Sequence, residues 1–352
     1  MKIKQILFTA SGIAELLECE LREDLAPNEV LVRTVVTTLS SGTERDALLG
    51  VNGNAREDPA PGEDVGPRPI GTKFDTPRML GYSGSGIIEA VGEGVTSVVP
   101  GDRVQVSSGF HASYQIAKEK DVVKISDRIT WNEAALAHIS NFSLAGVRKL
   151  RPEIGESAIV MGLGILGMNA VQYLRLAGAS PVIAVDFKKE RRDLALRFGA
   201  DYALDPGMEN FTERVKELTH GGANCCVEVT GSGKALNQAL DCMARFGRVS
   251  LLGCTRISDF TVDFYRKVHY PGIHLIGAHT GARPQLESHD GYWTDRDELT
   301  NIFRLIEAGR INLSDMISEV HSPYECGPVY TRLHSDKDFP LCVQFDWQRL
   351  EK

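Results

Sequence analysis

Hydrophobic and polar positions follow two different rhythms along the chain. Up to about residue 125, short alternating runs divided by Gly, Pro and Asp recur at Ile3–Phe8, Glu29–Val36, Gly86–Val91, Asp102–Val106 and Ala112–Ile116. Period-two alternation bounded by turn residues predicts strands, and so many in succession predict an all-β, barrel-like domain. From about 140 to 280 the runs become continuously apolar, at Ala158–Met161, Val182–Val185, Tyr202–Leu204, Cys225–Val229, Gly247–Leu252 and Leu275–Ile276. Between them lie segments with helical spacing, Lys189–Phe198, Asn210–Leu218 and Lys234–Ala244. Strands apolar on both faces, alternating with helices, predict a parallel sheet covered on both sides. Beyond 280 the pattern predicts one helix, Asp297–Ala308, and closing strands at Ile317–Val320 and Leu341–Phe345.

The first strand of the second region runs into Gly162-Leu-Gly164-Ile165-Leu166-Gly167, the GxGxxG spacing, and Asp186 ends the next strand 19 residues after Gly167. Glycine at the first position allows the tight strand-to-helix turn, at the second it lets backbone approach a pyrophosphate, and at the third it lets helix and strand pack closely. The N–H groups opening the helix at Ile165 and Leu166 then face the phosphates. Asp186 suits the two adenosine ribose hydroxyls and repels a 2′-phosphate, which favours NAD. Lys188, Lys189, Arg191 and Arg192 lie just beyond it and keep NADP as the alternative. Arg191, with Thr230, Gly253 and Cys254 after the later strands, completes the expected cofactor contacts.

At 352 residues the chain is too long for one ordinary core, so two domains are expected. Apolar and charged fractions of 42% and 24% are those of a soluble globular protein, and a net charge of −8 argues against nucleic acid or a membrane surface as partner. No apolar run approaches the ~20 residues of a membrane-spanning helix, and the start, Met-Lys-Ile-Lys-Gln-Ile-Leu, reads as a strand rather than a signal peptide. Seven cysteines without a CxxC suit a reducing cytoplasm.

The motifs Glu29-Val-Leu-Val-Arg33, Leu80-Gly-Tyr82-Ser-Gly-Ser-Gly86, Val91-Gly-Glu-Gly-Val95 and Gly101-Asp-Arg-Val104, together with the glycine fingerprint, resemble the medium-chain dehydrogenase/reductase family over nearly the whole chain. The resemblance implies an α/β fold: a GroES-like β-barrel catalytic domain at 1–139 and 282–352 and a Rossmann, doubly wound parallel sheet at 140–281. It also implies a homodimer or homotetramer, for which Thr261–Phe264 is the expected edge strand. Zinc-dependent members of the family carry ligands at positions that fall here on Ser40, on Tyr82 and, depending on the alignment, on Ala137 or His138. A serine hydroxyl stays protonated near neutral pH and is a poor zinc ligand. No cysteine lies between 20 and 224, so the structural zinc lobe is missing too. The chain thus reads as a branch without catalytic or structural zinc, although His138 with Glu44 and a third group keeps a residual metal site open.

Without zinc, the hydroxyl proton of an alcohol must pass to a side chain near the nicotinamide. Tyr82 is one candidate, although its phenol, with an ordinary pKa of ~10, needs a cationic neighbour to act as base; equally, it fills the volume of the missing metal. His138 is a second, because imidazole titrates near neutrality, against a purely structural role in a helix. Glu44, in Ser-Gly-Thr-Glu, is a third, against a helix-capping carboxylate. Ser40, Asn141 and His279 are the substrate-contact candidates. Cys225 and Cys226 read as buried core. Two segments suggest substrate loops: 51–78, with five Pro and four Gly, and 282–298, where Arg283, His289, Asp290, Tyr292, Trp293 and Asp295 suit a hydroxyl-rich ligand.

These features lead to a cytoplasmic, zinc-independent, NAD-linked oxidoreductase acting on a secondary alcohol of a polyol, sugar or similar polar substrate. Two alternatives stand beside it: an NAD(P)H-dependent quinone or enoyl reductase, and a nucleotide-binding sensor that has lost its chemistry.

Overall fold

The computed structural model describes residues 1–51, 66–107, 109–255 and 260–350. Contacts divide the chain into two compact units: Met1–His138 with Ile302–Glu307 and Leu313–Lys352, and Ile139–Asn301 with Ala308–Asn312.

The first unit is β-rich. Glu29–Thr38 is its organising strand, pairing antiparallel with Ser83–Val91, with Tyr114–Lys118 and with Val343–Asp346 in a seven-stranded sheet. A second sheet joins Lys2–Ala10 to Ile13–Glu20 and to Lys73–Met79. Alternation places Val30, Val32, Ile88, Val104, Val106 and Val122 in one fully buried cluster. A second cluster packs Ile6, Phe8, Leu48, Tyr330, Phe345 and Trp347 beneath the helix Cys326–Ser335.

The second unit is a six-stranded, wholly parallel sheet. Its spatial order is Tyr202–Leu204, Val182–Val185, Ala158–Met161, Ala223–Glu228, Met243–Leu251 and His274–Gly277. This is the doubly wound order 3-2-1-4-5-6, in which ligands bind beyond the carboxyl ends of the strands where the winding reverses, here after Ala158–Met161 and Ala223–Glu228. Cys225 and Cys226 point to opposite faces and both are fully buried, because helices cover both faces. The α/β fold class expected from the hydrophobic rhythms is the one observed.

Several local expectations need correction. Thr261–Phe264 is not a strand: 261–263 is irregular and Phe264 caps a short π-helical turn, Tyr265–His269. Of the 51–78 segment, 52–65 lies outside the described residues, and the rest is not structureless, since Lys73–Met79 pairs with the first strand. The strand Ile13–Glu20 and the helices Ser41–Leu48 and Cys326–Ser335 escaped the hydrophobic pattern. All seven cysteines are free, and among the described residues no helix is long and apolar enough to cross a membrane.

Candidate active site and dinucleotide site

In the parallel unit, each glycine of the fingerprint has a distinct environment. Gly162 has φ +94°, and a Cβ there would come 2.8 Å from the Thr230 methyl. A Cβ on Gly167 would sit 1.9 Å from the Gly162 carbonyl oxygen, so the helix can approach the turn only with glycine. Gly164 is different: a Cβ there would meet no protein atom within 4 Å, and its φ of −70° suits any residue. Among the described residues nothing requires glycine at 164, and the open space there suits the close approach of a ligand. Gly164 is also the N-cap of Ile165–Leu176 and offers no side chain to cap it. The N–H groups of Ile165, Leu166 and Gly167 are among the four that a helix start leaves unpaired within the helix, and they suit an anion.

Asp186 closes the same turn from the next strand. Its Oδ2 accepts the Leu163 N–H at 2.9 Å and its Oδ1 the Lys188 N–H at 2.8 Å, while the Arg191 guanidinium lies 3.7 Å away. Two bonds leave part of a carboxylate's acceptor capacity for ribose hydroxyls. Of the nearby cations, Arg192 is spent on the carbonyls of Asp186 and Phe187 and on Asp205, and Lys189 on Asp193. Glu228, which the sequence reading missed, organises the neighbouring loop. Its carboxylate accepts from the Thr230 hydroxyl, from the Thr230 N–H at 2.7 Å and from the Gly231 N–H at 3.2 Å, and burial pushes its pKa up against these bonds. The Glu228 carbonyl takes the Gly253 N–H at 2.8 Å, and Gly231 sits so near the Cys254 carbonyl that a Cβ would be 2.7 Å from it. Thr230, Gly253 and Cys254 are therefore brought beside the glycine turn. These residues fit a nicotinamide dinucleotide: a capless helix start, an open glycine and a partly satisfied acid, all at the switch point.

In the β-rich unit, Ser40, Tyr82 and His138 come together from three segments. Ser40 is the N-cap of Ser41–Leu48, yet its hydroxyl makes no cap bond; it is hydrogen-bonded to the Tyr82 hydroxyl instead. The Ser40 N–H donates to Glu44 Oε1 at 2.8 Å. Tyr82 follows Gly81, whose φ of +102° and close approach to the His111 N–H (2.9 Å from a would-be Cβ) aim the next residue. His138 stands edge-on to the Tyr82 ring, centroids 5.9 Å apart, and its Nδ1 pairs with the Ser107 hydroxyl at 2.9 Å. One turn earlier, the Ala135 carbonyl receives the hydroxyls of Thr38 at 2.8 Å and Ser83 at 2.6 Å, which lock the helix Trp131–Leu150 against two strands. Ser40 and Tyr82 are partly exposed, whereas His138 is buried.

Glu44 lies beneath this cluster, fully buried. Besides Ser40 it receives the Tyr330 hydroxyl at 2.5 Å and faces His111 Nε2 at 3.2 Å from both oxygens. Burial, then the Glu44 charge, pushes the Tyr330 phenol far up, so Tyr330 is a permanent donor. His111 Nδ1 meets the Thr37 hydroxyl at 2.7 Å, and that hydroxyl also accepts from Trp347 Nε1 at 2.9 Å. This second layer, absent from the sequence reading, ties the Glu44 carboxylate to the Ser40 backbone.

The remaining candidates lie elsewhere. Asn141, in the parallel unit, commits its amide NH2 to the Asp295 carboxylate at 2.7 Å, while its Oδ1 is buried without a partner. His279 is exposed, its Nδ1 accepting the Gly281 N–H at 3.0 Å. The 282–298 segment uses its polar residues internally. Arg283 pairs with Asp295 at 2.7 Å, Trp293 lies under Arg148 at 3.7 Å, and Arg148 forks onto Glu298 at 2.7 and 2.8 Å. These contacts pin the segment onto the helix Trp131–Leu150.

A capless glycine turn on a doubly wound sheet suits a nucleotide phosphate, and a hydroxyl–phenol–imidazole cluster on a β-rich unit suits proton transfer, the two parts of a nucleotide-dependent oxidoreductase. Residues 26–127 match the alcohol dehydrogenase GroES-like domain, and 166–290 match the zinc-binding dehydrogenase family. The chain is 28% identical to D-guloside 3-dehydrogenase of Escherichia coli K12, covering 97% of this chain and 100% of that protein. It is 30% identical to an alcohol dehydrogenase of Geobacillus stearothermophilus, over 60% of this chain and 71% of that one. The crystal structure of benzyl alcohol dehydrogenase from Acinetobacter calcoaceticus has the same fold, with a TM-score of 0.81 at 21% identity and coverage of 98% and 99%. The chain belongs to the medium-chain, zinc-type alcohol and polyol dehydrogenase family, and is an NAD(P)-dependent oxidoreductase acting on CH–OH groups. The sensor and the quinone or enoyl reductase give way to this class.

The family implies zinc, and the donor set here does not fit it. The 166–290 match contains none of Ser40, Tyr82 and His138. Those three offer one imidazole and two hydroxyls that bond each other, where zinc requires thiolate, imidazole or carboxylate ligands. Glu44, the nearest acid, is engaged by Ser40, His111 and Tyr330.

Proposed function

We propose that this protein is an NAD-linked dehydrogenase that oxidises a secondary alcohol of a polyol, sugar or similar polar substrate, with Tyr82 rather than a metal handling the hydroxyl proton. The observation that carries the reading is the Ser40 hydroxyl, which gives up its helix cap to bond the Tyr82 phenol beside His138. An N-cap serine contributes about 1 kcal/mol to its helix when it caps, and the bond to Tyr82 replaces that contribution.

A nicotinamide dinucleotide held at the glycine turn and Asp186 would supply the hydride acceptor. The chain's own residues deal with the proton: Tyr82 takes it from the substrate hydroxyl while passing its own phenolic proton to the Ser40 oxygen, the partly exposed Ser40 releases one to water, and the His138 ring packs edge-on against the phenol to hold it. Glu44, with Tyr330 and His111 behind it, keeps the Ser40 backbone in register. Asp186 and the commitment of Arg192 and Lys189 to other partners support NAD over NADP. The D-guloside 3-dehydrogenase relative supports a sugar-type alcohol. The free cysteines support the cytoplasm. Homo-oligomerisation, which the family resemblance suggests, is retained in the reading, with His274–Gly277 as the edge strand.

The test is a panel of polyols, sugars and simple secondary alcohols with NAD and NADP, read by nicotinamide absorbance for the parent and for Tyr82→Phe and Asp186→Ser. Turnover with NAD that Tyr82→Phe removes, and a swing toward NADP in Asp186→Ser, are expected. Equal turnover by Tyr82→Phe overturns the proton assignment.

A further inference from the structure

Arg68 and Arg78, in the β-rich unit, have no carboxylate partner among the described residues and share one aromatic ring. Alternation along Lys73–Met79 puts Phe74, Thr76 and Arg78 on one face and Lys73, Asp75 and Pro77 on the other. Phe74 is buried in the core, and the guanidinium carbons of Arg78 and Arg68 lie 4.2 Å and 5.8 Å from its ring centroid. Arg68 is held there by its backbone, donating to the Leu49 carbonyl at 2.8 Å and accepting from the Ser11 hydroxyl at 2.9 Å. Its stem passes over Gly50, where a Cβ would be 2.8 Å from Arg68 Cδ.

A guanidinium has five N–H donors. Arg78 uses one, in a 3.4 Å bond to the Ala47 carbonyl, and the Arg68 guanidinium makes no hydrogen bond or ion pair among the described residues. Burial, then the charge of Arg68, lowers the pKa of Arg78. A cation over a ring is worth about 0.5–1 kcal/mol at an exposed site, which explains one arginine on Phe74 but not two of like charge. Paired, half-buried guanidiniums with unspent donors have the forked geometry that recognises phosphate or carboxylate.

We propose that Arg68 and Arg78 form an anion site that receives a phosphate or carboxylate terminus of the alcohol substrate. The assignment of this anion to the substrate rests on the reading of alcohol oxidation at Tyr82. The same two stretches carry both features: Ser40 meets Tyr82 at one end, and Ala47 meets Arg78 at the other. Helical rise from Ser40 to Ala47 is ~10 Å and extended chain from Arg78 to Tyr82 is ~13 Å, the reach of a sugar-length chain that ends in an anion.

Inorganic phosphate, followed by calorimetry and thermal shift on the full chain, tests the site without turnover. Saturable binding to the parent is expected, weakened about tenfold in Arg68→Gln and in Arg78→Gln, partly kept in Arg78→Lys and lost in the double Gln variant. The double variant without phosphate should melt no lower than the parent, because the like-charge pair is relieved. Kinetic arms with a polyol phosphate, a sugar acid and an uncharged polyol then separate the sources. In Arg78→Gln the KM of the favoured anionic alcohol rises about tenfold relative to that of the uncharged polyol. Absent phosphate binding, unchanged binding in the double variant, or equal KM changes for charged and uncharged alcohols overturn the proposal. Phosphate binding without turnover of any alcohol retains the anion site and overturns the dehydrogenase reading instead.

Discussion

The glycine turn at 162–167 and the Ser40–Tyr82–His138 cluster are built by opposite means. The turn is backbone: three glycines, a capless helix and one acid, all within a single stretch ending at Asp186, with tolerances set by sub-van-der-Waals approaches such as the 1.9 Å at Gly167. The cluster is side chains from three segments, resting on a second layer drawn from two more, around His111 and Tyr330. Where the backbone packs as closely as at Gly162 and Gly167 it tolerates no Cβ, whereas a side-chain site tolerates atoms but loses function when one hydroxyl goes. The difference predicts where mutations uncouple stability from activity.

The largest effect is expected at Gly167→Val, which drives a branched side chain into the Gly162 carbonyl. Overpacking of this kind costs about 3 kcal/mol or more, and calorimetry should show the parallel unit melting early, with dinucleotide binding gone. Tyr82→Phe should leave melting and NADH affinity within twofold of the parent while kcat falls by roughly 10²–10⁴. A loss under tenfold would move the proton role off Tyr82. Gly164→Ala sharpens the contrast within the turn itself. With no protein atom within 4 Å of the new Cβ, stability should hold within about 0.5 kcal/mol, while NAD affinity measured by fluorescence falls at least about tenfold. The smallest expected change in activity is in Glu44→Gln. It turns one acceptor oxygen of a fully buried network into a donor, costing about 1–3 kcal/mol in urea melts, with kcat reduced only through the displaced Ser40.

The same contrast explains what was legible in the sequence. The turn and the parallel strands are encoded locally, so spacing and apolar runs revealed them, and the strands Ala158–Met161, Val182–Val185 and Tyr202–Leu204 begin and end where the pattern places them. Ser40, Tyr82 and, in one of two alignments, His138 are singled out because the family resemblance implies zinc ligands at those positions. Their support was invisible: Tyr330 lies 286 residues from the carboxylate it serves. The helix that carries it, Cys326–Ser335, begins with Gly327 and Pro328, which read as loop, although proline is tolerated in a first helical turn. The signal that marks it is the capping box of Ser322 and Glu325 just upstream. The 282–298 segment differs again. Its Arg283, Trp293 and Asp295 are chemically suited to a sugar, and only the fold shows that Arg283 pairs with Asp295, Asp295 with Asn141, and Trp293 with Arg148.

The central claim is that the chemistry of this dehydrogenase runs on a phenol and not on a metal. Turnover of the best alcohol with NAD, measured on chelator-treated protein whose zinc content is quantified by elemental mass spectrometry, tests it most directly. The account predicts full activity with less than ~0.1 zinc per chain and no gain when zinc is added. Activity that falls with the zinc content and returns with one equivalent of the metal would contradict it.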